Sequence, residues 1–360
     1  QRMTADPSQP AAHLGRYRTG DQLLDSAVEE LAAATGRPGD LDLIAELLVS
    51  AVRLGSENVD RGELKLVNSA LKELRHSFAV FAPYRGIRKA TIFGSARIRE
   101  GDPAYRTAAA FGSAIAERGW MVITGAGPGI MAAGMEGAGA DRSFGVNIQL
   151  PFESEANEFI TDDPKLINFR YFFTRKVMFM KESHGYALLP GGFGTMDEAF
   201  ELLTLMQTGK SPIAPVVLLD PPESTYWDYW TEFVEKELVE GGLISGADLS
   251  LVFATDDPVA AAEHICDFYS TYHSMRYVGK RLILRLQRQI GDEELAGLND
   301  NFSDLLVDGR IEQSEPTRAE LADNDELGLA RLVMNFDRHA HARLRQLIDC
   351  LNCADQPGST

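Results

Sequence analysis

The chain has few cysteines, a shortage of positive charge and no long apolar run, and each shortage removes a class of function. Three cysteines in 360 residues are too few for a disulfide framework, which points to a reducing compartment. Lys and Arg number 35 against 53 Asp and Glu, a formal net charge of −18. Binding a nucleic-acid backbone needs clustered basic side chains, so no nucleic-acid partner is expected. The same deficit argues against docking on an anionic membrane. No stretch approaches the ~18 uninterrupted apolar residues that span a bilayer, and residues 1–20 lack a basic-then-apolar leader pattern. An acidic, soluble, cytoplasmic protein is the expectation.

What is there is a chain with 44% hydrophobic residues, enough for one large core or a few small ones. Its pattern changes twice, which divides it into residues 1–84, 85–274 and 275–360. The first part is helical. Leu23, Leu24, Val28 and Leu31 recur at helical spacing, as do Leu43, Ile44, Leu47, Leu48 and Val52. Gly36, Pro38 and Gly39 separate two helices, with Asp40 a plausible N-cap for the second. A third helix is expected from Asp60 to Phe81.

In the second part short apolar runs alternate with helical segments. Strands are expected at Ala90–Phe93, Trp120–Thr124, Phe144–Ile148, Leu166–Tyr171, Tyr186–Leu189, Pro215–Leu219 and Leu251–Phe253. Helices are expected between them, one at Thr174–Ser183, one opening at Met196 and the last at Pro258–Tyr272. Strands that are continuously apolar, separated by helices, predict an α/β fold: a parallel sheet covered on both faces. The loops after such strands gather on one edge of the sheet. Three of them are glycine-rich, at Gly94, at Gly125–Gly129 and at Gly191–Gly194.

The third part reads as a small α+β appendage, with strands at Leu282–Leu286 and Leu329–Phe336 and helices at Asp292–Leu306 and His339–Leu351. Between Asp292 and Glu326 there are 12 acids and two arginines, a net of −10. That is more than half the excess of the whole chain, and the plain reading is a solvated face.

The chemistry concentrates at Pro190-Gly-Gly-Phe-Gly-Thr195. A strand that runs through glycines into a helix brings bare backbone N–H groups, and roughly half a positive charge, to one point. A phosphate monoester suits such a turn, with Gly191, Gly192, Gly194 and the Thr195 hydroxyl as its donors. Gly94, Ser95, Gly127 and Gly129 stand on the neighbouring loops, where they complete the cradle or admit a ribose. The motif is not a P-loop, because Met196 and Asp197 stand where lysine chemistry is required. Nor does Gly94-Ser-Ala-Arg-Ile-Arg99 match a dinucleotide fingerprint.

Glu198 follows Thr195 by three residues, which puts it in the first turn if the helix opens where expected. It either stabilises the helix dipole or serves a reaction in which positive charge develops, such as cleavage of an N-glycosidic bond. Arg175-Lys176 opens the preceding helix, where cations oppose the dipole and call for a compensating anion. Arg175 is read as contacting substrate or holding Glu198, or as a surface salt bridge. Glu136 either accepts ribose hydroxyls or is an exposed helix position. The aromatic run Phe169, Tyr171, Phe172, Phe173 is read as core, with one ring available to a base pocket. Cys350-Leu-Asn-Cys353 lacks a second ligand pair, so no metal is expected there.

Pro190-Gly-Gly-Phe-Gly-Thr-Met-Asp-Glu198 resembles the PGGxGTxxE signature of the LOG family, and Arg175-Lys176 falls where that family carries its arginine-lysine pair. Gly94-Ser95 and Thr124-Gly-Ala-Gly-Pro-Gly-Ile-Met131 resemble its first two nucleotide loops. The resemblance covers about Lys89 to Asp267. It implies a Rossmann-like doubly wound sheet and hydrolysis of a nucleoside 5′-monophosphate, AMP or a cytokinin riboside monophosphate among them, to base and ribose 5-phosphate. No cofactor and no metal are implied. Arg175 and Glu198 would be catalytic. Gly191, Gly192, Gly194 and Thr195 would bind phosphate, with Pro190 and Lys176 among the contacts, and a homodimer or larger homo-oligomer is implied. The arginine stands in Phe-Phe-Thr-Arg-Lys-Val, whereas short cytokinin-activating members carry Met-His-Glu-Arg-Lys, and the flanking parts look closer to a longer bacterial branch. Members are often called lysine decarboxylases, but the sequence suggests no pyridoxal phosphate site. A rival from another class is a non-catalytic nucleotide sensor whose acidic C-terminal part signals to a partner.

Overall fold

The computed structural model describes residues 17–150 and 156–353. The chain folds as two compact units, residues 1–72 and 73–360. In the first, α1 (Gln22–Ala34) and α2 (Leu41–Ser56) pack Val28 and Ala32 against Ala45 and Val49. Asp21 caps α1 by accepting from the N–H groups of Leu23 and Leu24. Asp40 does not cap α2 with its side chain. A 3-10 turn, Pro38–Asp40, precedes the helix, and the Asp40 carboxylate pairs with Arg37 at 3.0 Å. The boundary between the units falls inside α3, Arg61–Phe81.

The second unit contains a seven-stranded sheet in which every pairing is parallel. Its strands are β1 (Lys89–Phe93), β2 (Met121–Thr124), β3 (Ser143–Ile148), β4 (Leu166–Phe169), β5 (Gly185–Leu188), β6 (Val216–Leu219) and β7 (Val252–Thr255). The order is β4-β3-β2-β1-β5-β6-β7, a parallel sheet as the apolar runs predict, in the doubly wound arrangement that the resemblance implies. Strand pleating sends alternate residues to opposite faces. Ala90 and Ile92 pack with α4 (Pro103–Glu117), α5 (Ile130–Ala138) and α9 (Pro258–Asp267). Phe93, Ile123, Val146 and Leu188 face α6 (Phe172–Glu182), α7 (Phe193–Gln207) and α8 (Tyr226–Phe233), the last continuing as one π-helical stretch to Val239. Order reverses between β1 and β5, and in such sheets ligands bind beyond the strand ends at that switch.

The C-terminal region forms a four-stranded antiparallel sheet, ordered β10-β11-β9-β8. Two of its strands differ from the sequence expectation. The helix expected to reach Tyr272 stops at Asp267, and β8 occupies Tyr272–Val278. The helix expected to reach Leu306 is α10, Asp292–Asn301, after which β10 runs from Leu306 to Gln313. β9 (Arg281–Leu286) and β11 (Ala330–Phe336) lie where expected, and a short α11 (Arg318–Asp323) joins β10 to β11. Leu282, Leu284 and Met334 of this sheet belong to the same apolar cluster as Phe93 and Leu188 of the parallel one. α12 (His341–Cys353) adds Leu344, Leu347 and Ile348 to that cluster.

The acidic stretch is less solvated than its composition suggests. Glu320 is fully buried and accepts from both Arg285 Nε (2.9 Å) and Arg331 Nε (3.2 Å). Asp323 and Asp325 pair with Arg276, and Asp304 pairs with Arg343. Cations from outside the acidic segment therefore neutralise several of its charges. No helix among the described residues is long and apolar enough to cross a membrane.

Candidate active site

Three glycine loops are stitched together at the switch between β1 and β5. Ser95 N–H donates to the Pro190 carbonyl (3.1 Å), and the Ser95 carbonyl accepts from Ile130 N–H (3.1 Å). Gly129 is the N-cap of α5 at φ +69°, and a Cβ there would stand 2.4 Å from the Ser95 carbonyl oxygen. Only glycine fits both constraints. Ala126, buried in the same loop, takes φ +61° without being glycine, a conformation that stores backbone strain beside the site.

Above these loops lies a cleft of about 880 Å³. Of the residues singled out in the sequence, Gly94, Ser95, Arg175, Gly191, Gly192, Gly194, Thr195 and Glu198 line it. Gly127, Gly129, Glu136, Lys176 and Pro190 do not. Gly129 and Pro190 support the loops through the contacts just given. Gly127 offers its carbonyl to Asn157 Nδ2 (2.9 Å), so a segment near residue 157 straps the second loop. The Glu136 carboxylate is taken by the Tyr105 hydroxyl at 2.6 Å.

The third loop turns into α7 earlier than the sequence suggests. The helix begins at Phe193, with Gly192 as N-cap, rather than at Met196. Gly194 and Thr195 are therefore first-turn residues, and the first-turn N–H groups have no intrahelical acceptor. They form an anion cradle at the positive end of the helix. Gly191 is constrained by packing, since a Cβ there would sit 2.2 Å from Thr195 Oγ1. Tyr226, on α8, donates its hydroxyl to the Gly191 carbonyl at 2.6 Å and holds that peptide in place.

The earlier start moves Glu198 from the first turn to the second. It is buried, with 7% of its surface exposed. Burial pushes its carboxyl up to about 7, although Arg175 opposes the shift. Arg175, also 7% exposed, lies with Nη1 3.6 Å from Glu198 Oε1 and donates from Nε to the Val146 carbonyl (2.8 Å). Its guanidinium also covers the Phe179 ring at 5.0 Å. Gly125 makes room for it, because a Cβ there would come within 2.3 Å of Nη2. Arg175 thus both pairs with Glu198 and lines the cleft.

Lys176 points elsewhere. It bridges Asp197 (2.7 Å) and Glu201 (2.6 Å), tying α6 to α7. Burial disfavours its charge, but the bonds to both carboxylates outweigh that and raise its pKa. The anion called for at the start of α6 is supplied by Glu73 of α3, which accepts from Arg170 N–H (2.9 Å) and the Thr174 hydroxyl (2.5 Å). Among the aromatic run, Phe169 is buried core, whereas Phe172 and Phe173 are half exposed and Phe172 lines the cleft. Phe193, 97% exposed, and Arg97 also line it. Neither was singled out in the sequence, nor were Tyr226 and Glu73. Cys350 and Cys353 lie exposed on α12, and among the described residues no three His, Cys, Asp or Glu side chains gather as a metal group.

Comparison with known proteins bears on this arrangement. Residues 128–265, which hold the Arg175–Glu198 pair and the third glycine loop, match the family described as possible lysine decarboxylase, the LOG family. The match is confined to that segment of the chain. Among the proteins similar to the chain is a pyrimidine/purine nucleotide 5′-monophosphate nucleosidase of Escherichia coli K12. It is 28% identical over 205 residues, which is 53% of this chain and 43% of the relative. Another is an Arabidopsis thaliana protein described as a probable cytokinin riboside 5′-monophosphate phosphoribohydrolase, 35% identical over 80 residues, 22% of this chain and 38% of the relative. The chain thus spans less than half the length of either relative. Solved structures similar to it include the molybdenum cofactor carrier protein of Chlamydomonas reinhardtii, with 21% identity over 50% of this chain and 98% of that one, at a TM-score of 0.34. A molybdenum cofactor binding protein of Rippkaea orientalis matches at 19% identity over 49% and 93%, also at 0.34.

Proposed function

We propose that this chain hydrolyses the N-glycosidic bond of nucleoside 5′-monophosphates, giving free base and ribose 5-phosphate. The observation that carries the reading is a buried carboxylate, paired with an arginine, one helical turn beyond an anion cradle. The 5′-phosphate accepts from the first-turn N–H groups of α7 and from Thr195. The ribose then extends toward Glu198, with C1′ beside its carboxylate. As the bond from C1′ to the base nitrogen breaks, its electron pair leaves with the base and the sugar gains oxocarbenium character. The ionised Glu198 stabilises that charge and takes a proton from the water whose oxygen bonds to C1′. The proton then passes to the departing base. A pKa near 7 leaves both forms of Glu198 populated at neutral pH, as proton transfer requires. Arg175 keeps the carboxylate oriented.

Apolar side chains, Met131, Ile148, Leu150 and Phe172, line other parts of the cleft and supply a surface for the base. Incubating the purified chain separately with AMP, GMP, CMP and isopentenyladenosine monophosphate, then separating the products by chromatography, tests the proposal. Base and ribose 5-phosphate in equal amounts from at least one substrate support it. Stabilisation by a nucleotide with no base released from any substrate over hours would favour the sensor instead.

A further inference from the structure

A phosphate monoester dianion entering this cleft meets a charge problem. The protein carries a net −18, and Asp197 and Glu198 both line the cleft. Of the cations expected to offset them, Arg175 is committed to Glu198 and the Val146 carbonyl, and Lys176 to Asp197 and Glu201. The α7 N-terminus offers only about half a unit of charge. Among the described residues lining the cleft, one other cationic side chain remains, that of Arg97. It is exposed, and its guanidinium has no hydrogen-bond or ion-pair partner among the described residues.

Its backbone, by contrast, is fixed. Arg97 N–H donates to Ser95 Oγ (3.1 Å), while Ser95 itself is bonded to Pro190 and Ile130. Arg97 therefore rises from a loop anchored to the residue that precedes Gly191. A flexible, planar donor fork on a rigid base beside an anion cradle suits bidentate recognition of phosphate oxygens.

We infer that Arg97 is the residue with which the cleft selects phosphate monoesters over uncharged nucleosides. This rests on the hydrolase reading for its substrate, but it is measurable as binding alone. The probes are ribose 5-phosphate, AMP and adenosine, titrated calorimetrically into the full chain and into its Arg97→Ala and Arg97→Lys variants. Arg97→Ala is expected to weaken ribose 5-phosphate and AMP about tenfold or more and to leave adenosine unchanged, with Arg97→Lys recovering part of the loss. The wild-type affinity should rise as pH passes the second ionisation of the phosphate, near ~6, and that rise should flatten in Arg97→Ala. A merely structural role would not produce this pH signature. Ribose 5-phosphate binding equally well to Arg97→Ala, or adenosine and AMP weakening together, would overturn the inference. A wild-type chain that binds these esters but releases no base would sink the hydrolase reading and leave the Arg97 comparison fully readable. One that binds none of them would sink both.

Discussion

Glu198 Oε1 lies 3.6 Å from Arg175 Nη1 with both side chains nearly shut off from solvent, so each sets the other's protonation. Burial lowers the Arg175 pKa and raises that of Glu198, and mutual attraction opposes both shifts. If the ionised carboxylate is the working form, kcat should rise with pH through about 7 and level off above it. Arg175→Met removes the charge that favours ionisation, so its smaller kcat should rise at a higher pH. A pH–rate profile of both proteins checks this, and superimposable midpoints would contradict it.

The same burial makes a stability prediction of known sign. A folded-state pKa above the unfolded one means that the native chain holds this proton more tightly. Its contribution is full below pH ~4.5 and is lost as pH rises through about 7. Glu198→Gln cannot ionise, so it should melt above the wild type at pH 8, with the gap narrowing toward pH 5. Thermal melts at the two pH values measure it. Lower stability of Glu198→Gln at pH 8 would show that the ion pair outweighs the burial.

At the anion cradle, two substitutions separate shape from support. Gly191→Ala drives a methyl into Thr195, whose Oγ1 would be 2.2 Å away, and should abolish measurable ribose 5-phosphate binding while the chain still folds. Tyr226→Phe removes only the hydroxyl that holds the Gly191 carbonyl. A neutral hydrogen bond contributes about 1 kcal/mol, so KM should rise roughly fivefold with kcat less affected. Steady-state kinetics beside circular dichroism distinguish these outcomes from unfolding.

Glu320 joins Arg285 and Arg331 under the antiparallel sheet. Burial works against its charge, but hydrogen bonds from Thr317 and both arginines outweigh this and bring its pKa down to about 2. A depressed folded pKa gives stability that is present above pH ~4.5 and lost as pH falls toward 2. Glu320→Gln leaves the buried Arg331 without its carboxylate partner and Arg285 with Asp325 alone, and should cost about 3 kcal/mol at pH 7. The difference from the wild type should shrink in acid. Denaturant melts at pH 7 and pH 3 give both values.

The parallel sheet was legible because its strands are unbroken apolar runs, each ending at a turn, and the cleft because three of those turns are rich in glycine. The start of α7 was not. Glycine is a poor helix former, so Gly194 reads as loop, yet the helix takes it in and carries Glu198 into its second turn. β8 was hidden because Phe268, Tyr269 and Tyr272 extend the helical spacing of α9; pairing with β9 decides the matter. β10, Leu-Val-Asp-Gly-Arg-Ile-Glu-Gln, is polar and shifts register against β11. Lys176 was visible as part of a motif, but its commitment to Asp197 and Glu201 was not. Arg97, Tyr226 and Glu73 carry no local signal, since their roles come only from what tertiary folding brings to them.

The most direct measurement follows adenine release and AMP binding in the same preparations of wild type and Glu198→Gln. The wild type should release adenine and ribose 5-phosphate. The variant should bind AMP within a few-fold of the wild type and turn over about 10²-fold more slowly, as expected when a preorganised electrostatic group is removed. Equal turnover by the variant, or AMP bound by the wild type without any adenine released, would contradict the account.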